Sequence, residues 1–410
     1  MRVTFLRTLS AFLLTTSMAP AMAIELTNFS QELQSFAAGE QGHANVLIIG
    51  DSISGDTFSP LYASLNQAYG NGGITGGPGQ LGLLTQYSSG TSVSTANYNT
   101  WIAGYTLNVP NGESVTYQKA VSLAVAQSPT PVMTELKVYY RTQPGGGTFS
   151  VQTAQMNGYY PKTFSVLPGY ESISTDGPEG MGVLTIPINP GADVSWKVTT
   201  TSGTVNILNG GWEGVSGIHF NYMLSLGGSQ LVDYASTPEN VWSSFLNDVA
   251  PDLVLVMVKD DATSGFRNAL VTIQQRIQAA NPLADTIFVG AYNSQRDDPG
   301  YTPAPPSYQT MAAENTIIQD VVSDPSVPGS KYYWDAGAVI GTWASANAKG
   351  WFSDSTHLND SGRAVLANAF AQDFNLLPVP EPACGIFVTL GLGMLVLYQV
   401  GRGMSVRRAA

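Results

Sequence analysis

Two hydrophobic rhythms along this chain predict an α/β protein: a three-layer α/β/α domain on a parallel sheet, with an inserted antiparallel β-sandwich. The first rhythm is a series of short, unbroken aliphatic runs separated by helical patterns, which suits strands buried on both faces of a parallel sheet. It occupies both ends of the chain's body. The second rhythm, between residues 95 and 212, is apolar–polar alternation broken by turn residues, the pattern of antiparallel strands with one face in water.

Val46–Ile49 is the first aliphatic run, and it stops abruptly at Gly50-Asp51-Ser52. Glycine permits a tight backbone there, placing Ser52 at the C-terminal edge of a central strand, where open α/β sheets hold their ligands. Pro60 then opens a helix with Leu61, Leu65 and Tyr69 on one face. The glycine-rich segment from Tyr69 to Leu84 reads equally as a loop that approaches something closely or as a linker. In the second rhythm, Leu136, Val138 and Tyr140 alternate with polar residues, as do Phe149 and Val151, then Val194, Trp196 and Val198, then Val205 and Ile207. Gln143-Pro-Gly-Gly-Gly147 punctuates them as a turn.

From residue 213 the α/β pattern resumes. A strand from Gly217 runs into Gly227-Gly228, and Thr237 caps a helix with Pro238 at its first position and Val241, Phe245 and Val249 on one face. Leu253–Val258 is the next buried strand. Phe266, Leu270, Ile273 and Ile277 mark a helix that ends before Asn281-Pro282. A strand at Ile287–Gly290, a helix through Ile317 and Val321, and a last strand at Lys331–Trp334 follow. The helix after Ser361-Gly362 closes the domain near Leu377.

At 410 residues the chain has room for two ordinary domains. Its net charge of −12 argues against nucleic acid or anionic membrane surfaces as partners. Arg2 and Arg7 precede a short apolar stretch, and Ala21-Met22-Ala23 supplies a small-residue cleavage site, so residues 1–23 read as a signal peptide. At the other end, Val379-Pro-Glu-Pro382 stands directly against an apolar run, followed by Arg402, Arg407 and Arg408. Residues 378–410 resemble the PEP-CTERM sorting tails of Gram-negative bacteria that secrete exopolysaccharide. That resemblance implies export to the cell surface and processing by a membrane exosortase; a plain transmembrane anchor is the other reading. Without the two ends, the body carries 12 basic and 28 acidic residues, and the single cysteine, Cys384, goes with the tail. An exported body would then have no disulfide and rely on its core.

Ser52 is a candidate nucleophile, but a serine hydroxyl needs a base. His357, in Asp354-Ser-Thr-His-Leu-Asn-Asp-Ser-Gly362, is the candidate base, with Asp354 three residues upstream; His43 and His219 read as structural. Gly-Asp-Ser near the start and Asp-x-x-His-Leu near the end resemble the first and last blocks of the SGNH (GDSL-type) hydrolases. The resemblance implies an SGNH domain in two parts, 24–94 and 213–377, with the sandwich at 95–212 between them. It implies a triad of Ser52, His357 and Asp354, and an oxyanion hole from the backbone of Ser52, from Gly227 (Gly228 as alternate), and from an asparagine of the third block. The third block departs from the pattern: Val258-Lys-Asp-Asp261 puts Asp260 in the asparagine's place. An ionised carboxylate only accepts hydrogen bonds and would repel an oxyanion. Three readings stand: Asp260 is protonated beside Asp261, Lys259 fills the hole, or the protein binds without catalysing. No ligand cluster at metal spacing is present, so no cofactor is expected.

Gly55-Asp56, Tyr69-Gly-Asn-Gly-Gly73 and the Pro-Gly-Gly-Gly turn resemble peptidoglycan O-acetylesterases that carry a carbohydrate-binding-like sandwich between the first two blocks. This implies a serine esterase acting on an O-acetylated polysaccharide, and the sorting tail directs the expectation toward exopolysaccharide. A non-catalytic polysaccharide-binding surface protein is the alternative, and an acyl transferase a third.

Overall fold

The computed structural model describes residues 24–75, 83–87, 107–119, 132–157, 160–161, 163–189, 194–225, 229–257, 265–297 and 311–378. The chain divides into two units, Met1–Leu376 and Leu377–Ala410, and every element below belongs to the first. The expected signal peptide and sorting tail lie outside the described residues. Among the described residues, no helix is long and apolar enough to cross a membrane.

The chain begins with α1 (Phe29–Ala37) and β1 (His43–Gly50), then α2 (Ser52–Thr57), α3 (Ser59–Tyr69) and β2 (Asn71–Thr75). Antiparallel strands follow: β3 (Leu83–Tyr87), β4 (Leu107–Pro110), β5 (Ser114–Lys119), β6 (Met133–Thr142) and β7 (Thr148–Asn157). Three two-residue strands, β8 (Tyr160–Pro161), β9 (Ser165–Val166) and β10 (Ile173–Ser174), lead to β11 (Gly180–Pro187), β12 (Val194–Ser202) and β13 (Thr204–Gly214). Then come β14 (Gly217–Ser225), α4 (Leu231–Ser236), α5 (Glu239–Val249), β15 (Leu253–Met257), α6 (Phe266–Ala280) and β16 (Asp285–Gly290). A short 3-10 turn (Gln295–Asp297), α7 (Met311–Ser323), β17 (Ser330–Asp335), α8 (Ala336–Ile340), α9 (Trp343–Ala348) and α10 (Asp360–Asp373) complete the unit.

The aliphatic runs form a parallel array in the order β2-β14-β1-β15-β16-β17. Every residue of β15 and β16 is buried, as a strand covered on both faces requires. Leu47, Ile49, Val254, Val256 and Phe288 pack on one face against α5, α6 and α7. On the other face Tyr62 of α3 meets Phe220 edge-on at 5.1 Å, and Phe58 meets Phe370 of α10 at 5.5 Å.

The array does not end at β2. Gly73–Thr75 pairs antiparallel with Gly211–Glu213 of β13, and β13 pairs with β6, which pairs with β11. Parallel and antiparallel strands thus share one sheet. A second sheet, in the order β10-β7-β12-β5-β3, faces its antiparallel half, where Tyr140 meets Phe149 edge-on at 5.3 Å. The expectation of one solvated face per antiparallel sheet fails in β6. Leu136 and Val138 are buried, but so are Lys137 and Tyr139, because Tyr139 faces the cluster formed with Trp242 and Phe245 of α5. The helix cap at residue 237 also shifts. Pro238 is itself the N-cap of α5, and Thr237 ends a short helix, α4, that periodicity did not reveal.

Candidate active site

The site is built at the C-terminal end of β1. Gly50 is required there because a Cβ would run into the Met257 carbonyl and the Ser54 side chain. Its carbonyl accepts a 2.6 Å hydrogen bond from the buried Tyr234 hydroxyl, which fixes the strand end from the α4 side. Asp51 then caps α2: its Oδ1 accepts the Ile53 N–H at 2.8 Å, and its carbonyl accepts the Ser54 hydroxyl at 2.8 Å. Ser52 is the first residue of α2, so its N–H has no acceptor within the helix. Sequence periodicity missed α2, whose six residues are too few to display a period.

The second half of the site arrives from the far end of the chain. Trp334 of β17 packs edge-on against Phe370 at 5.0 Å, and its indole N–H donates to Asp373 at 2.7 Å, seating α10 beside α2 and α3. The loop just before α10 then overhangs Ser52. Ser52 Oγ lies 3.0 Å from His357 Nε2, and His357 Nδ1 lies 2.9 Å from Asp354 Oδ2. A carboxylate only accepts, so the imidazole proton sits on Nδ1 toward Asp354, leaving Nε2 to accept from the serine hydroxyl. Asp354 Oδ1 also accepts the backbone N–H groups of Thr356 and His357 at 2.6 and 2.7 Å. Its limited burial raises the pKa, but those N–H groups and the imidazole outweigh that effect and hold it down at about 2. Asp354 is therefore ionised throughout the neutral range.

Of the residues singled out in the sequence, the structure brings together Ser52, His357 and Asp354. Gly227, Gly228, Lys259, Asp260 and Asp261 lie outside the described residues. His219 is buried at the sheet seam, with Thr75 Oγ1 3.1 Å from Nε2, and His43 Nε2 donates to the Gly214 carbonyl at 3.1 Å. Among the described residues, no group of three or more His, Cys, Asp or Glu is placed to hold a metal ion. Three contributors to the site were not singled out: Tyr234, Gln295, whose N–H donates to Ser355 O at 2.8 Å, and Asn359. Only Asn359 left a signal, as a capping residue three positions ahead of Gly362.

The arrangement can activate a hydroxyl, store its proton on an imidazole and keep that imidazole's tautomer through a carboxylate, which is the equipment of acyl transfer. No family model matches the chain, and no curated protein matches it. Among solved structures, a peptidoglycan O-acetylesterase aligns over 85% of this chain and 96% of its own, with a TM-score of 0.59 and 17% identity. A carbohydrate esterase family 3 protein from Talaromyces cellulolyticus covers 38% of this chain and 69% of its own, with a TM-score of 0.27 and 19% identity. A salicylyl-acyltransferase from a tetracycline biosynthetic pathway covers 64% and 82%, with a TM-score of 0.27 and 13% identity. The chain thus shares the fold of that peptidoglycan O-acetylesterase, a mostly parallel sheet covered by helices with an additional antiparallel sheet.

Proposed function

We propose that this protein is an exported serine esterase that removes O-acetyl groups from a cell-surface or extracellular polysaccharide. The observation that carries the reading is the convergence of Ser52, His357 and Asp354 from opposite ends of the chain within hydrogen-bond distance. In this reading Ser52 Oγ attacks the acetyl carbonyl carbon while its proton passes to His357 Nε2. The imidazolium, held by Asp354, returns that proton to the departing sugar oxygen. Water then attacks the acetyl-serine, gives a proton to His357, and releases acetate as the serine is regenerated. No metal is needed for any step. Backbone N–H groups of Ser52 and Gly227 would face the oxyanion, with Asp260 at the third position. Residues 95–212 would hold the glycan as an inserted domain, and the tail would pass the exported protein to exosortase-type machinery. The fold shared with a peptidoglycan O-acetylesterase supports an acetylated glycan as substrate class.

Acetate release from an acetylated glycan or an aryl acetate tests the reading, and Ser52→Ala must abolish it. If Ser52→Ala retains the wild-type rate, the esterase assignment falls. A second reading, a polysaccharide-binding protein on a hydrolase scaffold, rests on Asp260, whose ionised carboxylate would oppose the oxyanion. Asp260→Asn is expected to raise kcat by about 10-fold or more, since one such donor is worth on the order of 10²–10³ in rate. An unchanged or lower kcat would remove Asp260 from the oxyanion hole.

A further inference from the structure

The loop carrying Asp354 and His357 is anchored at its base by the buried Phe352 and Leu358, but its tip is not packed: residues 353–355 are exposed, and the Asp354 side chain is 54% exposed. Hydrogen bonds shape the loop, and four of them meet on the Asn359 side chain. Asn359 Nδ2 donates to the Gly350 carbonyl at 2.5 Å and to the Phe352 carbonyl at 3.5 Å. Its Oδ1 accepts the N–H groups of Ser361 and Gly362 at 3.0 and 3.1 Å, capping α10. Its backbone N–H donates to Trp351 O at 2.8 Å. The donors and acceptors are distinct, so the amide has only one orientation that satisfies them.

The rest of the loop closes on this hub. Phe352 bridges Leu358, and both the N–H and the hydroxyl of Ser353 donate to the His357 carbonyl, at 2.9 and 3.0 Å. Gly362 has no room for a Cβ because the Trp351 carbonyl lies against it, so the loop's base rests directly on the first turn of α10. At the tip, the Gln295 N–H holds Ser355 O.

We propose that Asn359 is a positioning residue for the His357 imidazole: through its two donated hydrogen bonds it couples the geometry of the loop to the start of α10. The inference rests on the esterase reading, and it explains why an ordinary cap would not serve. Aspartate or serine also caps a helix well, but neither can donate to two carbonyls while accepting two N–H groups. A hydroxyl–imidazole contact of 3.0 Å leaves little tolerance, because a displacement of about 1 Å costs roughly 10²-fold in rate.

The test compares Asn359→Ser and Asn359→Asp with wild type in aryl acetate hydrolysis, each with a full pH profile and a melting temperature. Both variants keep the cap of α10. Both are expected to lower kcat by about 10- to 100-fold with KM within twofold, and to displace the pH profile of kcat/KM, since the His357–Asp354 bond is loosened. Wild-type kcat and pH profile in Asn359→Ser would overturn the proposal, including where only the melting temperature falls. Should Asn359→Asp not fold, Asn359→Ser decides alone. Ser52→Ala run alongside separates the two failures: activity surviving there removes the esterase reading itself, whereas a dead Ser52→Ala beside a fully active Asn359→Ser removes only the role of Asn359.

Discussion

His357 and His219 hold nearly the same set of partners in different parts of the molecule. Each has a hydroxyl close to Nε2, Ser52 at 3.0 Å and Thr75 at 3.1 Å, and a side-chain oxygen close to Nδ1, Asp354 at 2.9 Å and Asn45 at 3.3 Å. Two things separate them. The Nδ1 partner of His357 is a carboxylate, whereas that of His219 is a neutral amide. His357 is also reachable, with 31% of its side chain exposed, while His219 is buried on β14 between its parallel neighbours β1 and β2. Burial drives the His219 pKa down to about 4 despite the nearby Glu213 carboxylate. A hydroxyl next to an imidazole is therefore not yet a catalytic device. It becomes one when a charge can hold the imidazolium and a substrate can reach the oxygen.

The same hydroxyl deletion at both histidines breaks the comparison most directly. Ser52→Ala is expected to reduce ester hydrolysis by about 10⁴-fold or more, while Thr75→Val leaves kcat within about twofold. Comparable losses in both variants, measured as acetate released, would mean that the seam takes part in the chemistry.

Acid titration sharpens it, and here the buried His219 and the half-buried Asp252 oppose each other. His219 is held neutral, with its pKa lowered from 6.5 to about 4, so its contribution to stability is present above pH 6.5 and is lost as the pH falls through 4. Asp252 is the reverse. Burial outweighs its hydrogen bond from the Asn45 N–H and raises its pKa from 3.8 to about 6. Its contribution is present below pH 3.8 and is lost as the pH rises through 6. Each is on the order of 3 kcal/mol, so their effects largely offset each other between pH 6.5 and 4. Urea midpoints at pH 7 and 4.5 should diverge in the single variants: stability rises with acid in His219→Gln and falls in Asp252→Asn. Parallel behaviour of both variants and wild type would refute this balance.

The smallest effect concerns the charges beneath α5. Lys137 Nζ lies 2.7 Å from Glu213 and 3.6 Å from Asp248, and the Tyr139 hydroxyl donates to Asp248 at 2.8 Å. Burial, reinforced by Asp248, pushes the Tyr139 pKa well above 10, so the phenol stays a donor. Tyr139→Phe should cost about 1–2 kcal/mol in urea unfolding with kcat unchanged, because a hydrogen bond to a charged group is lost far from Ser52. A fall in kcat would tie this network to the active site.

Much of this architecture was legible beforehand. The parallel strands announced themselves as aliphatic runs, and Val241, Phe245 and Val249, or Phe266, Leu270, Ile273 and Ile277, marked helix faces that are buried in the structure. Lys137 and Tyr139 were not legible as core, because alternation reports only that two faces differ. It does not report that a helix from a later segment will cover the second one. Tyr234 left no sequence signal either: its contact with the Gly50 carbonyl spans 184 residues. Asn359 was readable as a cap, yet its bonds to Gly350 and Phe352 depend on a loop conformation that no periodicity encodes.

What the linear chain determined by itself was local: which segments can bury an apolar face, where glycine and capping residues end them, and which short motifs hold a hydroxyl, an imidazole and a carboxylate. Those properties depend on neighbours a few residues away, so they can be read without a structure. The tertiary structure alone decided that β13 joins the antiparallel strands to the parallel sheet, that His219 is sealed and neutral, and that His357 comes within 3.0 Å of Ser52 across 305 residues. Each of those outcomes depends on how distant segments exclude water and pack together, and only the folded chain sets that.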